Sequence, residues 1–483
     1  MFPDSMALLI LLALGGLFVA SWTLFLISKS HKQVLMRRLR LPRRRNSGAN
    51  TPPRKLSLTP TIKLAASDPN YREVFPPSRR HILTSEPHDD SKILLRALPM
   101  TKPFDQADGS EYTPTGFTVN EIRGMGNFPD YAKLSGVPLP QPYWEFDMKK
   151  ALPRPYRPFR WAYHQTMALK KLEPDWWIEL ENTYVERIRQ RQALLAQYGE
   201  LVLNYLPGSE LACRELMEMA LQFLVARYPH YFELDVKAMK FRNKILNTTS
   251  DLNVEHPLVV MTNNVPEDFA IMLRDPETGL YHFRAGAICS ALGWNIGTKL
   301  GMTLGEIHQP IPDYKEKMQF SMDRYFAKKP TDKAIQRGSW GFEVDQPLFM
   351  PPGDPHEKHR DVQDENLDPS RVHLRVDWQT LRRLPLSGAV VFNFKALFTP
   401  LEYIHDEPYV PSLVLKVLRE GSREIMKYKN TWHTEHRAIP MLESFDREQR
   451  ARGIVERDWE AHTLDESPFY PGWEAKWHRD QGF

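Results

Sequence analysis

Cysteine is scarce in this chain of 483 residues, which contains only Cys213 and Cys289. Two thiols cannot build a disulfide framework, and no CxxC or Cys/His pair has the spacing of a zinc site. Disulfide-rich secreted domains and zinc modules are therefore excluded. A reducing compartment is the simplest interpretation of this cysteine usage.

The common catalytic signatures are also missing. The sequence has no GxSxG elbow, no HExxH and no Walker A motif, and "GMGNF" at Gly124 is too short for a dinucleotide fingerprint. A cytochrome P450 would need a cysteine inside a Phe- and Gly-rich loop near its C-terminus, and Cys289 is not in that setting. Cys289 is expected to be a buried structural thiol.

A large excess of charge is lacking as well. The chain has 64 Lys and Arg against 60 Asp and Glu, so its formal net charge is only +4. The excess lies near the N-terminus, and the remainder is close to balanced. This distribution argues against an enzyme with a basic body that binds nucleic acid.

One long uncharged run is present, at residues 6–27, "MALLILLALGGLFVASWTLFLI". It has the length that spans a bilayer, and a cluster of Lys and Arg follows it. The pattern predicts a signal anchor at the endoplasmic reticulum, with one transmembrane helix and the rest of the chain in the cytosol. The alternative is a cleaved signal on a secreted protein, in which Asn247 would be a glycosylation acceptor.

The chain divides into four predicted parts. Residues 1–28 are the predicted anchor, and 29–125 are a basic, Pro- and Ser-rich linker that is expected to be largely disordered. Residues 126–440 are the predicted catalytic domain, and 441–483 are a C-terminal extension.

Helical and strand periods alternate within the predicted domain. The apolar spacing predicts helices near 173–199, 209–227, 312–328, 410–428 and 435–452. Short apolar runs bounded by turn residues, "PLVVM", "DFAIML" and "GLYHFRAGAIC", predict strands, and two more strands are predicted at 372–378 and 388–397. Helices beside an antiparallel sheet indicate an α+β fold.

Two stretches have the composition of a site. Residues 288–314, "ICSALGWNIGTKLGMTLGEIHQPIPDY", combine glycines with His308 and two prolines that fix the backbone after it. In "RVHLRVDWQTLRRLP", a strand would place His373, Arg375, Asp377 and Gln379 on one polar face. A solvent-exposed strand face and a tight loop over packed helices remain the alternatives at this point.

Together these stretches resemble the fungal HRQ family, within the heme-dependent oxidative N-demethylase α-subunit-like proteins. The resemblance covers residues 154–403. The lead-in and the Trp helix match at Arg157, Pro158, Phe159, Arg160, Met167, Leu169, Trp177, Tyr184 and Arg191. The next block matches at Trp294, Lys299, Gly301, Ile307, His308 and Pro310. The last block matches at His373, Arg375, Gln379, Thr380, Leu381, Arg382, Arg383, Leu384 and Pro385, with the usual acidic residue shifted to Asp377.

The resemblance implies a heme-binding, PAS-like antiparallel sheet with added helices. His308 is then the expected iron ligand, with His164 and His282 as weaker candidates. His373 and Gln379 are the expected catalytic pocket residues. The cations expected to bind heme are Lys299, Arg375, Arg382 and Arg383, of which the arginines suit the propionates.

The implied function is that of a membrane-anchored oxidoreductase that uses heme b and O₂ to oxidise or N-demethylate a small molecule. The relatives imply a setting in fungal secondary metabolism. Because no flavin or iron–sulfur motif is present, electrons would come from an external reductase. The alternative is a PAS-like sensor that binds heme or another small ligand without catalysis.

Overall fold

The computed structural model of the protein describes residues 74–80, 97–162, 167–290, 292–351 and 353–482. The predicted membrane anchor at 6–27 lies outside these ranges. Among the residues inside them, no helix combines the length and apolar character needed to cross a bilayer. This finding contradicts the prediction of a single-pass protein in the endoplasmic reticulum membrane.

Most strands of the described residues belong to one antiparallel sheet. In chain order the strands are β1 Lys170–Lys171, β2 Leu203–Tyr205, β3 Phe232–Asp235, β4 Lys240–Asn243, β5 Thr248–Asp251, β6 Asp268–Arg274, β7 Tyr281–Ala287, β8 Ile335–Val344, β9 Val372–Arg383 and β10 Val390–Pro400. The main sheet has the order β1-β8-β9-β10-β6-β7-β2, and β3, β4 and β5 form a separate small sheet. Strand β9 therefore lies inside the main sheet, between β8 and β10.

Helices precede, interrupt and follow the strands within the same described ranges. They are α1 Val119–Met125, α2 Tyr131–Ser135, α3 Tyr184–Tyr198, α4 Glu210–Arg227, α5 Pro257–Asn264, α6 Ile296–Lys299, α7 Leu304–Ile307, α8 Tyr314–Lys317, α9 Gln319–Lys328, α10 Glu357–Arg360, α11 Val410–Glu420, α12 Arg423–Lys429, α13 Trp432–Ala451 and α14 Trp473–Asp480. With the antiparallel sheet they confirm the predicted α+β class.

The main sheet has two differently covered faces. Side chains alternate between faces along a strand, so residues 375, 377 and 379 of β9 share one face, here called the cavity face. The register places Phe394 of β10 opposite Gln379, and Ser339 of β8 opposite Asp377, on that face. The other face presents Leu374, Val376 and Trp378, all buried in the larger apolar core.

Helix α4 forms much of the core behind the sheet. Its buried residues include Leu216, Phe223 and Leu224, the stripe predicted from the sequence. Phe223 meets Trp177 edge to face, with ring centroids 5.7 Å apart. These contacts leave the cavity face to a second, smaller apolar cluster, which contains Met272 and Phe283.

Several predicted elements change type or length. The run "PLVVM" was expected to be a strand, but it is helix α5, where Pro257 occupies the first turn and His256 Nδ1 accepts from Leu258 N at 3.2 Å. The helix predicted at 173–199 begins only at Tyr184, and residues 177–183 before it are irregular. The helix predicted at 410–428 is divided at Gly421 into α11 and α12. Strand β8 was not predicted.

The end of the predicted linker is folded. Helix α1 lies within residues 97–125, and a reciprocal capping box between Thr118 and Glu121 begins it. Val119 and Ile122 of this helix are buried. Folded structure therefore begins upstream of the domain boundary predicted at residue 126. At the other end of the chain, Trp477 Nε1 donates to Leu152 O at 2.9 Å and attaches α14 to the body of the protein.

Candidate functional site

A cavity of about 400 Å³ lies on the cavity face of the sheet. Strands β6, β7, β8, β9 and β10 all contribute lining residues, and so do the segment 288–322 and helix α12. This volume lies within the usual range for sites that bind small molecules and cofactors, roughly 300–1,000 Å³. The two stretches singled out in the sequence meet here.

One part of the lining is apolar. The sheet contributes Ala270, Met272, Phe283, Phe392 and Phe394, and the opposing segment contributes Leu304, Ile307, Ile311, Met318 and Met322. Because rings and thioethers of this kind pack against flat aromatic surfaces, this part can accept a planar apolar group.

The rest of the lining is charged. Six cationic side chains contribute to it, Arg160, Lys299, Arg337, Arg360, Arg375 and Lys429. Only three acidic residues do so, Asp268, Glu343 and Asp377. The excess of positive charge suits a ligand that bears carboxylates.

His308 lines the cavity directly after helix α7. A capping box between Thr303 and Glu306 fixes the start of this helix, and His308 is its C-terminal cap. His308 Nδ1 lies 2.8 Å from Leu304 O. A carbonyl only accepts hydrogen bonds, so Nδ1 carries the proton and Nε2 keeps its lone pair. Within the described residues, Nε2 has no hydrogen bond.

Two aromatic rings flank the His308 imidazole. The Tyr314 ring stacks on it, with ring centroids 5.0 Å apart, and the Trp294 ring is tilted against it, with centroids 5.6 Å apart. Burial lowers the pKa of His308 to about 4. The imidazole is therefore neutral at physiological pH, the form in which histidine ligates metals.

Arg375 joins the two lining segments. Its guanidinium donates to Ser290 O at 2.6 Å, to Pro347 O at 2.8 Å and to Asp377 Oδ1 at 2.9 Å. Arg375 is thus oriented by backbone carbonyls on one side and by a carboxylate on the other. This arrangement fixes a positive charge at the cavity wall.

Asp268, at the start of β6, also links the sheet to the segment 288–322, and it was not identified from the sequence. Its carboxylate accepts from Cys289 N at 2.9 Å and from Ser290 N at 2.7 Å, and it pairs with the buried Arg191. Cys289 itself is buried, and burial raises the pKa of its thiol to about 12. The thiol is therefore protonated at physiological pH.

The predicted site residues are only partly brought together. Lys299 and Gln379 line the cavity with His308 and Arg375, and Lys299 Nζ lies 5.1 Å from the Trp294 ring. His373 is on the same face of β9 but outside the lining, where its Nδ1 contacts Arg371 O at 3.0 Å.

The other two predicted arginines have packing roles. Arg382 lies on the opposite face of β9, 4.1 Å above the Trp177 ring. Arg383 is buried at the strand end and donates to the carbonyls of Lys329, Gly388 and Phe326 and to the Tyr281 hydroxyl. Neither contributes to the cavity lining.

Of the two weaker histidine candidates, only His282 lies within the described residues. His282 is absent from the cavity lining, and its Nδ1 contacts Gly301 O at 3.1 Å. His164 lies outside the described residues.

Lys429 also lines the cavity, although no motif in the sequence marks it. It ends helix α12, and Nζ donates to Trp340 O at 3.0 Å. Burial and the neighbouring Arg337 lower its pKa to about 7. A lysine of this kind in a cavity is typical of functional sites.

The comparison with known families agrees with the chemistry of this cavity. Residues 168–439 match the family described as "haem-dependent oxidative N-demethylase, alpha subunit-like". The match covers more than half of the chain and includes every strand named above. The family description indicates heme dependence and oxidative chemistry. The chain therefore belongs to the haem-dependent oxidative N-demethylase alpha subunit-like family.

Proposed function

We propose that the protein is an oxidoreductase that binds heme b in this cavity and uses O₂ to oxidise a small molecule. In the simplest case it removes an N-methyl group from an amine. The family membership supports the general chemistry, and the geometry at His308 supports the cofactor site.

The donor set fits heme. His308 offers a neutral imidazole whose Nε2 is free and whose Nδ1 is fixed by the Leu304 carbonyl, which is the usual orientation of a metal-bound histidine. The apolar lining suits the macrocycle, and Lys299 and Arg375 supply charges for the propionates.

Bound heme would supply the activation of O₂ and the oxidation of the substrate. The chain itself contributes position and polarity. Apolar side chains such as Met272 and Phe392 exclude water from one part of the cavity. Gln379 presents an amide that can orient a small polar substrate. Electrons would come from a separate reductase.

The decisive experiment is a heme titration of the purified protein followed at the Soret band. We expect one heme per chain for the wild type and for His282→Ala. His282 is a matched control, because its Nδ1 also contacts a backbone carbonyl but it does not line the cavity. His308→Ala should lose the band or shift it strongly. Wild-type spectra in His308→Ala would disprove the ligand assignment.

Catalysis is tested separately from binding. The heme-loaded protein should release an aldehyde from N-methylated amines when O₂ and a chemical reductant are supplied. Stable heme binding without turnover across a panel of such amines would favour the alternative, a heme-binding sensor.

A further inference from the structure

The charged part of the cavity is lined by an amine, Lys429, and a carboxylate, Asp377. Lys429 reaches it from the C-terminal end of α12. Its Nζ lies 4.5 Å from the centre of the Trp340 ring and donates to Trp340 O. Gly341 of β8 lies beside the end of α12: a Cβ at this position would be in ordinary contact with Lys429 O, at 3.4 Å. The amine is thus held against the β8 backbone at the cavity wall.

Asp377 lines the cavity from β9. Both charge-assisted contacts from Arg375 go to Oδ1, at 2.9 Å from Nε and 2.8 Å from Nη2. No hydrogen bond to Oδ2 occurs within the described residues. Burial lowers the pKa of Lys429 and Asp377 acts against it, while burial and Asp377 both raise the pKa of Tyr428, so the carboxylate lies within electrostatic range of the end of α12. Oδ2 is available to accept a proton from a ligand.

The surrounding charges set the proton affinity of Lys429. Arg337 of β8 repels the ammonium form, Asp377 of β9 attracts it, and burial disfavours it. The result is a pKa of about 7, which allows the amine both to give and to take a proton near neutral pH. Arg160, Arg360, Arg375 and Glu343 complete the charged groups of this part of the lining.

We propose that Lys429 and Asp377 are an acid–base pair that breaks the carbon–nitrogen bond of a hemiaminal. The inference rests on the proposed function, because oxidation of an N-methyl group gives a hemiaminal, R₂N–CH₂OH. This intermediate must then split into an amine and formaldehyde. The split is not a redox reaction and needs only proton transfers.

The reaction balances without another reactant. Asp377 Oδ2 takes the hydroxyl proton, and the electron pair of that O–H bond forms the C=O bond of formaldehyde. The C–N bond breaks, and the departing nitrogen takes a proton from the Lys429 ammonium. The products are R₂NH and CH₂O. Asp377 then returns its proton to Lys429, directly or through water, and both groups regain their starting charges.

A stable hemiaminal tests the pair without oxidation. The full-length protein is incubated with N-(hydroxymethyl)benzamide, without reductant and under argon, and formaldehyde release is measured. We expect release above the buffer rate, with a fall as pH rises through about 7, where Lys429 loses its proton. Lys429→Met and Asp377→Asn should each slow release at least about tenfold.

The control is Lys427→Met, which changes an exposed lysine on the same helix. It should release formaldehyde at the wild-type rate. Competitive acetylation of the wild type should show that the reactivity of Lys429 has a midpoint near pH 7. Heme titration of each variant shows whether the cavity is intact.

Two outcomes would overturn the inference. The first is that Lys429→Met and Asp377→Asn release formaldehyde at the same rate as the wild type. The second is that the wild-type protein releases formaldehyde no faster than buffer alone. Neither outcome would affect heme binding or O₂-dependent oxidation, so the proposed function would be judged by its own experiments. A protein that binds no heme but releases formaldehyde in a Lys429-dependent manner would support the acid–base pair and reject the cofactor.

Discussion

Buried arginines of this protein differ in what they contact. This difference distinguishes arginines that line the cavity from those that stabilise the fold. Arg383 donates to three backbone carbonyls and one hydroxyl and is almost fully buried. Arg383→Met would leave these acceptors unpaired, so we expect the free energy of unfolding to fall by about 3–5 kcal/mol. Urea denaturation measures this. Arg371→Ala, which removes a half-exposed ion pair with Asp345, should cost less than about 1 kcal/mol and is the control. Equal effects would contradict the assignment.

The residues found from the sequence and those missed differ in how far their contacts lie along the chain. His308 is recognisable because the residues that fix it, from Thr303 to Tyr314, are its own neighbours. Arg382 was selected through the family resemblance, whereas β9 was predicted to end at 378. The strand continues to 383, and its alternation then puts Arg382 on the far face. Lys429 could not be found, because only folding brings it to Trp340.

At the scale of elements, the break between α11 and α12 determines where Lys429 lies. A Cβ on Gly421 would be 2.5 Å from Val417 O, a backbone atom that cannot move aside cheaply. We expect Gly421→Ala to lower the free energy of unfolding by about 1–3 kcal/mol. Gly124→Ala is the matched control, because a Cβ in α1 meets nothing within 4 Å and alanine favours helix. It should be neutral or stabilising by up to about 1 kcal/mol. An unchanged free energy of unfolding in Gly421→Ala would show that the backbone between α11 and α12 can shift to accommodate a Cβ.

Elements were predicted best where apolar residues are dense. Most residues of α4 and all seven of β6 are buried. Helix α5 was mistaken for a strand because a short apolar run is compatible with both structures, and the signals that decide are His256 and Pro257 before it. Strand β8 was missed because its sequence, IQRGSWGFEV, places glycines and charges among its apolar residues. Trp340, Phe342 and Val344 alternate with Gly341 and Glu343, but Gln336 and Gly338 interrupt the apolar alternation in the first half of the strand.

For the whole molecule, buried carboxyls make stability depend on pH. Burial raises the pKa of Glu267 from 4.5 to about 7. Between these values the folded protein holds a proton that the unfolded chain has lost, so this group lowers the free energy of unfolding as pH rises from about 4.5 to 7. Each pKa unit corresponds to about 1.4 kcal/mol.

Glu267→Gln should therefore reduce the decline in the free energy of unfolding between pH 5 and 7.5, measured by urea denaturation at each pH. Glu233→Gln, at an exposed carboxylate, should leave the decline unchanged. Parallel profiles for all three proteins would refute the assignment.

The hydrogen bond from His308 to Leu304 has a consequence for how the protein can change over evolutionary time. The atom that sets the imidazole tautomer is a main-chain oxygen four positions earlier, in the same helical turn. No substitution of a side chain can delete that oxygen. Mutations across the sheet can therefore reshape the cavity and alter which molecules enter it while the donor nitrogen keeps its protonation state. If His308 holds heme as proposed, substrate preference can diverge among descendants of this protein without renewed selection on the histidine itself.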